Sequence, residues 1–344
     1  MTFALDATYS TGSQLSGVGV YSREILQGLA AEHAEEHFQW YFRPHRLRQA
    51  FASPRPPNVS LRPLFESFHT GRPAIFHGLN QRLPVQRFPR TVCTFHDLFV
   101  LTSEYSTLEF RHRFAAQAHQ AAARADLIIC VSTFTAAQVS GLLQVDSSRL
   151  RVIPHGTHLP SSTPQVARQP VILHVGAVQL RKNLTRLVEA FEQAAPPPWR
   201  LVLAGSDGYG AAAIHQRIAE SSARDRIQSV GWVSDQQLAS LYAQASIFAF
   251  PSLDEGFGIP VLEAMAHGLP VLSSNRSALP EACGDAALLV DPLSTNDIAH
   301  ALQRLIRNSA LRDELIERGR QRASTFSWLQ AVTSTWQVYQ ELVH

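Results

Sequence analysis

The 344-residue chain has little cysteine and no long run of charge of either sign. Its three cysteines, Cys93, Cys130 and Cys283, are odd in number and lie in apolar stretches. We interpret them as small buried side chains of a reducing compartment rather than as a disulfide framework or a metal site. The 30 basic and 28 acidic residues are interspersed, with a formal net charge of +2. This balance argues against a nucleic-acid-binding protein.

Long apolar runs are also missing. None approaches the roughly 18 residues that a membrane-spanning helix needs. The opening "MTFALDATYS" lacks the basic segment and apolar stretch of a signal peptide. We therefore expect a cytoplasmic protein and leave open a peripheral position on the cytoplasmic face of the inner membrane. Residues 1–155 carry 15 basic and 11 acidic groups, so the N-terminal half is the one expected to meet an anionic surface.

The length and the alternation of short apolar runs with helical patterns predict two α/β domains with parallel sheets. The capping-box pattern from Ser234 to Gln237 marks one helix start. Residues 44–73 are rich in proline and arginine, which predicts loops and short elements. We divide the whole chain into four parts: an N-terminal domain at 1–160, a linker at 161–170, a C-terminal domain at 171–325 and a terminal amphipathic helix at 326–344.

The segment "LDEGFGIPVLEAMAHGLPVL" brings Glu255 and Glu263 to either side of a glycine turn that follows a buried strand. Pro260 suits the first helical position and Gly268 the residue just past the helix end. Doubly wound sheets bind ligands at the carboxyl ends of their strands. Glycines and a helix start favour a diphosphate, while carboxylates accept from sugar hydroxyls. The segment therefore predicts a nucleotide-sugar site, with Glu263 on the ribose and Glu255 on a second sugar.

Positive charge for such a diphosphate is available in "VGAVQLRKN", where Arg181 and Lys182 follow a strand-ending glycine. Asn183, the next residue, is a candidate helix cap. Cations at a helix start oppose the helix dipole, so an anionic partner is expected near Arg181 and Lys182.

Residues 252–292, "SLDEGFGIPVLEAMAHGLPVLSSNRSALPEACGDAALLVDP", resemble the signature region of family four of the retaining glycosyltransferases. Similar segments are "VGAVQLRKNL", "VGWVSDQQL", "VSTFTAAQV" and "PHGTH", so the resemblance covers nearly the whole chain and fades between residues 35 and 73. It implies the GT-B fold, an α/β architecture of two Rossmann-like domains facing each other across a cleft. It also implies a C-terminal helix that crosses back to the N-domain.

The resemblance also implies residue roles in the C-terminal domain. Glu255 would contact hydroxyls of the transferred sugar and Glu263 the ribose. The diphosphate would be bound by Arg181 and Lys182, and the backbone amides that assist sugar and phosphate binding would be those of Phe257 and Gly258.

In the N-terminal domain, Gly17 and Gly19 of "SGVGVYSRE" resemble a loop that reaches the phosphates, although many members have adjacent glycines where this chain inserts Val18. His96 of "TFHDL" resembles a histidine used near the reacting sugar. His77 and His155 occupy similar strand ends, with acceptor lining and a purely structural role both open.

The expected activity is transfer of a hexose, with retention, from a nucleotide diphosphate sugar to a lipid-linked or growing oligosaccharide. Mannose from GDP-mannose is favoured because "LSGVGVYSREI" and "TFHDLFVL" look like mannosyltransferases of bacterial surface polysaccharides. The chain has no Asp-x-Asp, so neither a bridging metal nor a cofactor besides the donor substrate is indicated. The alternatives are a UDP- or dTDP-sugar transferase, a phosphorylase or epimerase on the same fold, and a non-catalytic scaffold.

Overall fold

The computed structural model describes residues 1–12, 14–68, 71–160 and 167–343. The chain forms two compact units, Met1–Gly156 with Ser327–His344, and Thr157–Phe326. Of the predicted linker, positions 161–166 lie outside the described residues. Arg168, which follows them, belongs to the second unit, where its guanidinium donates hydrogen bonds to four backbone carbonyls, those of Tyr242, Ala245, His267 and Gly268.

The first unit is built on a seven-stranded parallel sheet. Its strands are β1 (Thr2–Asp6), β2 (His37–Phe42), β3 (Val59–Pro63), β4 (Ile75–Gly78), β5 (Thr91–Phe95), β6 (Leu127–Cys130) and β7 (Leu150–Val152). Their spatial order is β3-β2-β1-β4-β5-β6-β7. The helices that connect them are α1 (Gly17–Glu32), α2 (Pro44–Phe51), α3 (Phe99–Thr102), α4 (Leu108–Arg124) and α5 (Thr133–Leu143).

The second unit repeats this plan with six parallel strands, β8 (Val171–Val175), β9 (Arg200–Ala204), β10 (Ile227–Gly231), β11 (Ile247–Phe250), β12 (Val271–Ser274) and β13 (Ala287–Val290). Their order is β10-β9-β8-β11-β12-β13. Its helices are α6 (Leu184–Ala194), α7 (Ala211–Ala219), α8 (Asp235–Gln244), α9 (Ile259–Ala266), α10 (Leu279–Cys283), α11 (Thr295–Arg307) and α12 (Ser309–Ser324). Within the described ranges, no helix of the chain is long and apolar enough to cross a membrane.

Both sheets have the doubly wound topology that the strand and helix patterns predict. Central strands such as β6 ("LIIC") and β11 ("IFAF") are buried along their whole length, because helices cover both faces of a parallel sheet. The strand order reverses between β1 and β4 in the first unit and between β8 and β11 in the second. Ligands bind to such folds at these switch points, outside the carboxyl ends of the strands.

The last helix, α13 (Trp328–Val343), packs into the core of the first unit. Trp328, Val332 and Tyr339 are buried, and the Tyr339 ring stacks on that of Phe3 with centroids 5.6 Å apart. The Tyr339 hydroxyl is 2.6 Å from Nδ1 of His77 on β4. This helix therefore completes the first unit although it follows the second one in sequence.

The sequence patterns missed two strands at the edge of the first sheet. β2 and β3 lie in the stretch where the family resemblance fades, and α2 lies between them. β2 is an aromatic run, "HFQWYF", that is buried from Phe38 to Phe42. Its polar Gln39 lies on the opposite face from Phe38 and Trp40 and is buried as well, so polarity along this strand does not report exposure.

The close approach of α13 to α1 yields a stability prediction. A Cβ added at Gly28 of α1 would lie 2.4 Å from Cγ2 of Val332, a β-branched side chain with little rotamer freedom in a helix. Gly141 of α5 has nothing within 4 Å of that position. We expect Gly141→Ala to raise the free energy of unfolding by about 0.5–1 kcal/mol. Gly28→Ala should lower it by about 1–3 kcal/mol, the range for overpacking.

Urea unfolding of the two variants, followed by circular dichroism, measures this difference. Equal stabilities of Gly28→Ala and Gly141→Ala would contradict the packing of α13 against α1.

Candidate active site

The centre of the candidate site is a buried cluster of three charged side chains at the β8/β11 switch point. Arg181 Nη1 lies 2.7 Å from Glu255 Oε2, and Lys182 Nζ lies 2.6 Å from Oε1 of the same carboxylate. All three side chains are at most 9% exposed. Glu255 is thus the anion that the dipole argument requires beside the two cations. We call these three residues the charge triad.

Backbone and side-chain contacts hold the triad in place from both strands. Arg181 and Lys182 belong to a 3₁₀ turn, Leu180–Lys182, that follows β8. Asn183 caps this turn in the left-handed conformation, with φ 60°. Its side chain does not cap the following helix α6 but donates to the carbonyls of Pro251, 3.0 Å, and Pro292, 2.7 Å. The turn is therefore tied to the segments that follow β11 and β13.

The ionisation of the triad follows from its geometry. Burial alone would raise the pKa of Glu255, but Arg181 and Lys182 outweigh it and lower that pKa from 4.5 to about 2. The carboxylate is therefore ionised at neutral pH, and its stabilising contribution is lost only as the pH falls from 4.5 through about 2. Lys182 Nζ also lies 4.6 Å from the centroid of the Phe250 ring, a cation–π distance.

Glu263 takes a different partner. Its Oε2 accepts a hydrogen bond of 2.9 Å from the hydroxyl of Tyr242 on α8. Burial raises the pKa of the Glu263 carboxyl, and the bond from Tyr242 and the nearby His158 oppose that rise. Glu263 is the fifth residue of α9, so it lies just beyond the first turn of that helix.

The glycine turn between the two glutamates has a steric reason. Gly258 has φ 106°, and a Cβ there would lie 2.7 Å from Cδ2 of Leu279. Because this left-handed residue precedes the helix, α9 begins at Ile259, and Pro260 is its second residue rather than its first. Gly268 follows the helix in the left-handed conformation, φ 69°, as predicted. The Phe257 side chain is buried against the Phe326 ring.

The predicted N-domain residues belong to the first unit. Gly17 and Gly19 lie in the first turn of α1, where Ser16 Oγ accepts from the Gly19 amide. Nothing lies within 4 Å of a Cβ at Gly17, whereas a Cβ at Gly19 would lie 2.9 Å from the Tyr9 carbonyl oxygen. Packing therefore explains the glycine at position 19. At Gly17 the helix start has open space beside it.

His96 directly follows β5 and is neutral at physiological pH. Its Nε2 donates a hydrogen bond of 2.9 Å to the Leu79 carbonyl, so Nδ1 is the acceptor of the neutral ring. Burial lowers the pKa of His96 to about 4. The ring lies parallel to that of His155, with centroids 5.4 Å apart. Such a histidine can accept a hydrogen bond but is a poor source of a proton at pH 7.

His77 is fully buried, and both of its nitrogens lie within hydrogen-bonding distance, of Tyr339 and Thr94. Its role is therefore to connect β4, β5 and α13, which disfavours the acceptor-lining role that the sequence left open.

Sequence reasoning did not find Tyr242, the partner of Glu263, since a tyrosine on an amphipathic helix gives no sign that its hydroxyl is used. The composition of the chain does give a sign that Lys182 is unusual. It is the only lysine among the 30 basic residues of the chain, so arginine supplies every other basic side chain.

Comparison with known proteins shows to which class of proteins this chain belongs. Residues 15–159 match the family described as Glycosyltransferase Family 4, and residues 159–322 match the one described as Glycosyl transferases group 1. With its two Rossmann-like sheets, the protein is a glycosyltransferase enzyme of the GT-B fold, which confirms the fold class that the resemblance implied. The chain belongs to glycosyltransferase family 4.

Two curated relatives are bacterial mannosyltransferases. The O-antigen chain mannosyltransferase B of Escherichia coli is 34% identical over 286 residues, which cover 78% of this chain and 74% of that protein. The serotype-specific mannosyltransferase WbdA of Escherichia coli is 29% identical over 72% of this chain, but the match covers 33% of its own length.

Solved structures agree on the fold. The sucrose-phosphate synthase of Thermosynechococcus elongatus has a TM-score of 0.81 at 24% identity, with 99% of both chains covered. The Anabaena protein HepE, solved with UDP-glucose, has a TM-score of 0.75 at 17% identity, again with 99% of both chains covered. At these identities the likeness concerns the fold alone.

The triad yields a prediction about stability. Glu255→Gln removes the buried carboxylate that Arg181 and Lys182 share, and we expect it to lower the free energy of unfolding by about 3–5 kcal/mol. The control is Glu314→Gln, which breaks a half-exposed pair with Arg318 one helical turn away. That pair should contribute less than about 0.5 kcal/mol.

Urea unfolding measured by circular dichroism compares the two variants. If Glu255→Gln cost no more than Glu314→Gln, the triad would not be the buried ion cluster described here.

Proposed function

We propose that this glycosyltransferase transfers mannose from GDP-mannose to a hydroxyl of a lipid-linked or growing oligosaccharide, with retention and without a metal ion. The observation that carries the proposal is the charge triad at the β8/β11 switch point. It concentrates two cations where doubly wound folds bind ligands, together with a carboxylate that can be exchanged for another anion.

Donor binding on this proposal is an exchange of anions. The diphosphate replaces Glu255 as the anionic partner of Arg181 and Lys182, because its oxygens carry more negative charge than one carboxylate. Glu255 is then released to accept hydrogen bonds from hydroxyls of the sugar. Cations fixed by the Asn183 turn need no reorganisation when negative charge develops on the leaving diphosphate, which is the condition for electrostatic catalysis.

Glu263 is proposed to hold the ribose. One of its oxygens accepts from Tyr242 at 2.9 Å, which fixes the carboxylate and leaves the other oxygen for ribose hydroxyls. The backbone of Phe257 and Gly258, which precedes α9, would assist with sugar and phosphate through its amides. Gly17, at the open start of α1, is proposed to meet phosphate in the same way.

In the proposed reaction the bond from the anomeric carbon to the diphosphate oxygen breaks, and a bond from that carbon to the acceptor oxygen forms on the same face. The acceptor hydroxyl proton passes to an oxygen of the leaving diphosphate. No side chain is needed as a covalent nucleophile. Nδ1 of His96 is proposed to accept a hydrogen bond from a sugar hydroxyl, which the neutral ring allows.

Mannose is supported by the names of both relatives, and an oligosaccharide acceptor by the name of the O-antigen chain mannosyltransferase B. Metal independence is supported by the lack of an Asp-x-Asp in the sequence and by the two cations of the triad. A cytoplasmic location with peripheral contact at the inner membrane would suit a lipid-linked acceptor. The exposed basic stretch on α2, with Arg48, favours that contact.

The donor is tested by thermal unfolding in EDTA with GDP, UDP, ADP and dTDP at matched concentrations. A ligand at 100 times its Kd adds roughly 2.7 kcal/mol of stability, so binding shifts the midpoint. We expect a shift with GDP alone. A shift with UDP or dTDP alone would replace the GDP-mannose assignment, and no shift with any of the four would contradict the nucleotide site.

The same assay tests Glu263. We expect Glu263→Gln to weaken GDP binding by about 1.5–3 kcal/mol, the range for a hydrogen bond to a charged group. Glu220→Gln, an exposed change at the residue that follows α7, is the matched control and should bind GDP like the parent. Unchanged GDP affinity and turnover in Glu263→Gln would remove the ribose assignment.

A further inference from the structure

The first unit contains a pocket that none of the site residues lines. It has a volume of ≈ 330 Å³ and lies among α1, α2, β2, β3 and the segment after β1. Ligand pockets begin at about 300 Å³, so the size suits part of a small molecule. The lining residues are Ser10, Thr11, Arg23, Leu26, Gln27, Trp40, Phe42, Ala50, Ser53, Pro54, Arg55 and Leu61.

One side of this pocket is apolar. Leu26 from α1, Trp40 and Phe42 from β2, and Leu61 from β3 contribute side chains to it. Trp40 is 5% exposed, and its indole Nε1 has no hydrogen-bond partner within the described ranges.

The polar side is positively charged. Arg23 and Arg55 both line the pocket, and Arg46 Nη1 lies 3.8 Å from the point that a Cβ at Gly12 would occupy, at the end of the segment after β1. Arg23 lies 3.5 Å from Glu24, while Arg55 is exposed and has no ion pair within the part of the chain that the structure describes. Of the described lining residues, none is acidic. The charge therefore favours an anion.

We propose that this pocket binds a phosphate ester that carries an apolar chain. The phosphate meets Arg55 and Arg23 at the rim, and the chain lies against Leu26, Trp40 and Phe42. Arginine pairs well with phosphate because its planar donors match two phosphate oxygens. A bilayer phospholipid and a soluble lipid phosphate share this chemistry. The proposal does not depend on the transfer reaction, because it concerns residues outside the charge triad.

The surface around the pocket agrees with such a ligand. α2 carries Arg46 and Arg48 but no acidic residue, and Phe51 at its end is 61% exposed. Exposed aromatic and basic side chains on one short helix suit contact with the phosphate and the first carbons of a lipid. Arg87, an exposed arginine in the segment between β4 and β5, lies outside α2 and does not line the pocket, which makes it the control for Arg55.

The test uses the full chain and decyl phosphate, kept below its micelle-forming concentration, with binding measured by isothermal titration calorimetry. Two control compounds each carry one part of this ligand: inorganic phosphate has the charge without the chain, and the uncharged decyldimethylamine oxide has the chain without the phosphate. We expect decyl phosphate to bind at least about tenfold more tightly than either. Arg55→Glu should weaken it by roughly tenfold or more, as expected for losing a charge-assisted pair. Arg87→Glu should stay within about twofold of the parent, because an exposed charge outside the pocket contributes little.

Sedimentation with phosphatidylcholine vesicles containing phosphatidylglycerol then distinguishes the two sources. If Arg55→Glu also loses vesicle binding while Arg87→Glu keeps it, the ligand is a bilayer lipid. If vesicle binding does not differ between the two variants, the pocket serves a lipid phosphate outside the bilayer. No binding of decyl phosphate, or an equal loss in Arg55→Glu and Arg87→Glu, would overturn the proposal. Because neither assay uses GDP or sugar transfer, failure here would leave the proposed function untouched.

Discussion

The arrangement of the second unit depends on one constraint, the shared carboxylate of Glu255 between Arg181 and Lys182. Two cations and one anion are taken out of water at the switch point between β8 and β11, and the desolvation of such a cluster is offset only by close, well-oriented pairing. The Asn183 turn provides that geometry from one side. The segment after β11 provides it from the other, where the Glu255 amide donates to Ser277 Oγ at 3.0 Å.

The same constraint connects stability with function. A triad with net charge +1 is held together without a ligand, yet it retains a net attraction for anions. On the proposed function, a diphosphate would replace Glu255 without any cation having to be recruited, and the freed carboxylate would lie beside the position of the sugar. Glu263, which is held by the Tyr242 hydroxyl, would not have to leave its partner when a ligand binds. On this account the two glutamates of one motif play different parts, one exchanged and one fixed.

Much of this could be predicted from the sequence, because the relevant signals are local. Buried parallel strands appear as apolar runs such as "LIIC", and Ser234 with Gln237 forms the predicted capping box. Glycine at 258 and 268 marks left-handed turns. The partners of side chains could not be predicted, since pairing across strands depends on sheet order. The bond from Tyr242 to Glu263 and the capture of Glu255 by both cations are contacts of that kind.

The most direct measurement uses the fact that Lys182 is the only lysine of the chain. Protein labelled with ¹³C at lysine Cε gives one lysine signal in NMR spectra, and that signal reports on the triad. The account predicts that saturating GDP shifts this signal, and that Glu255→Gln already shifts it without nucleotide. A Lys182 signal unchanged by GDP, under conditions where GDP raises the thermal midpoint, would contradict the exchange of Glu255 for diphosphate.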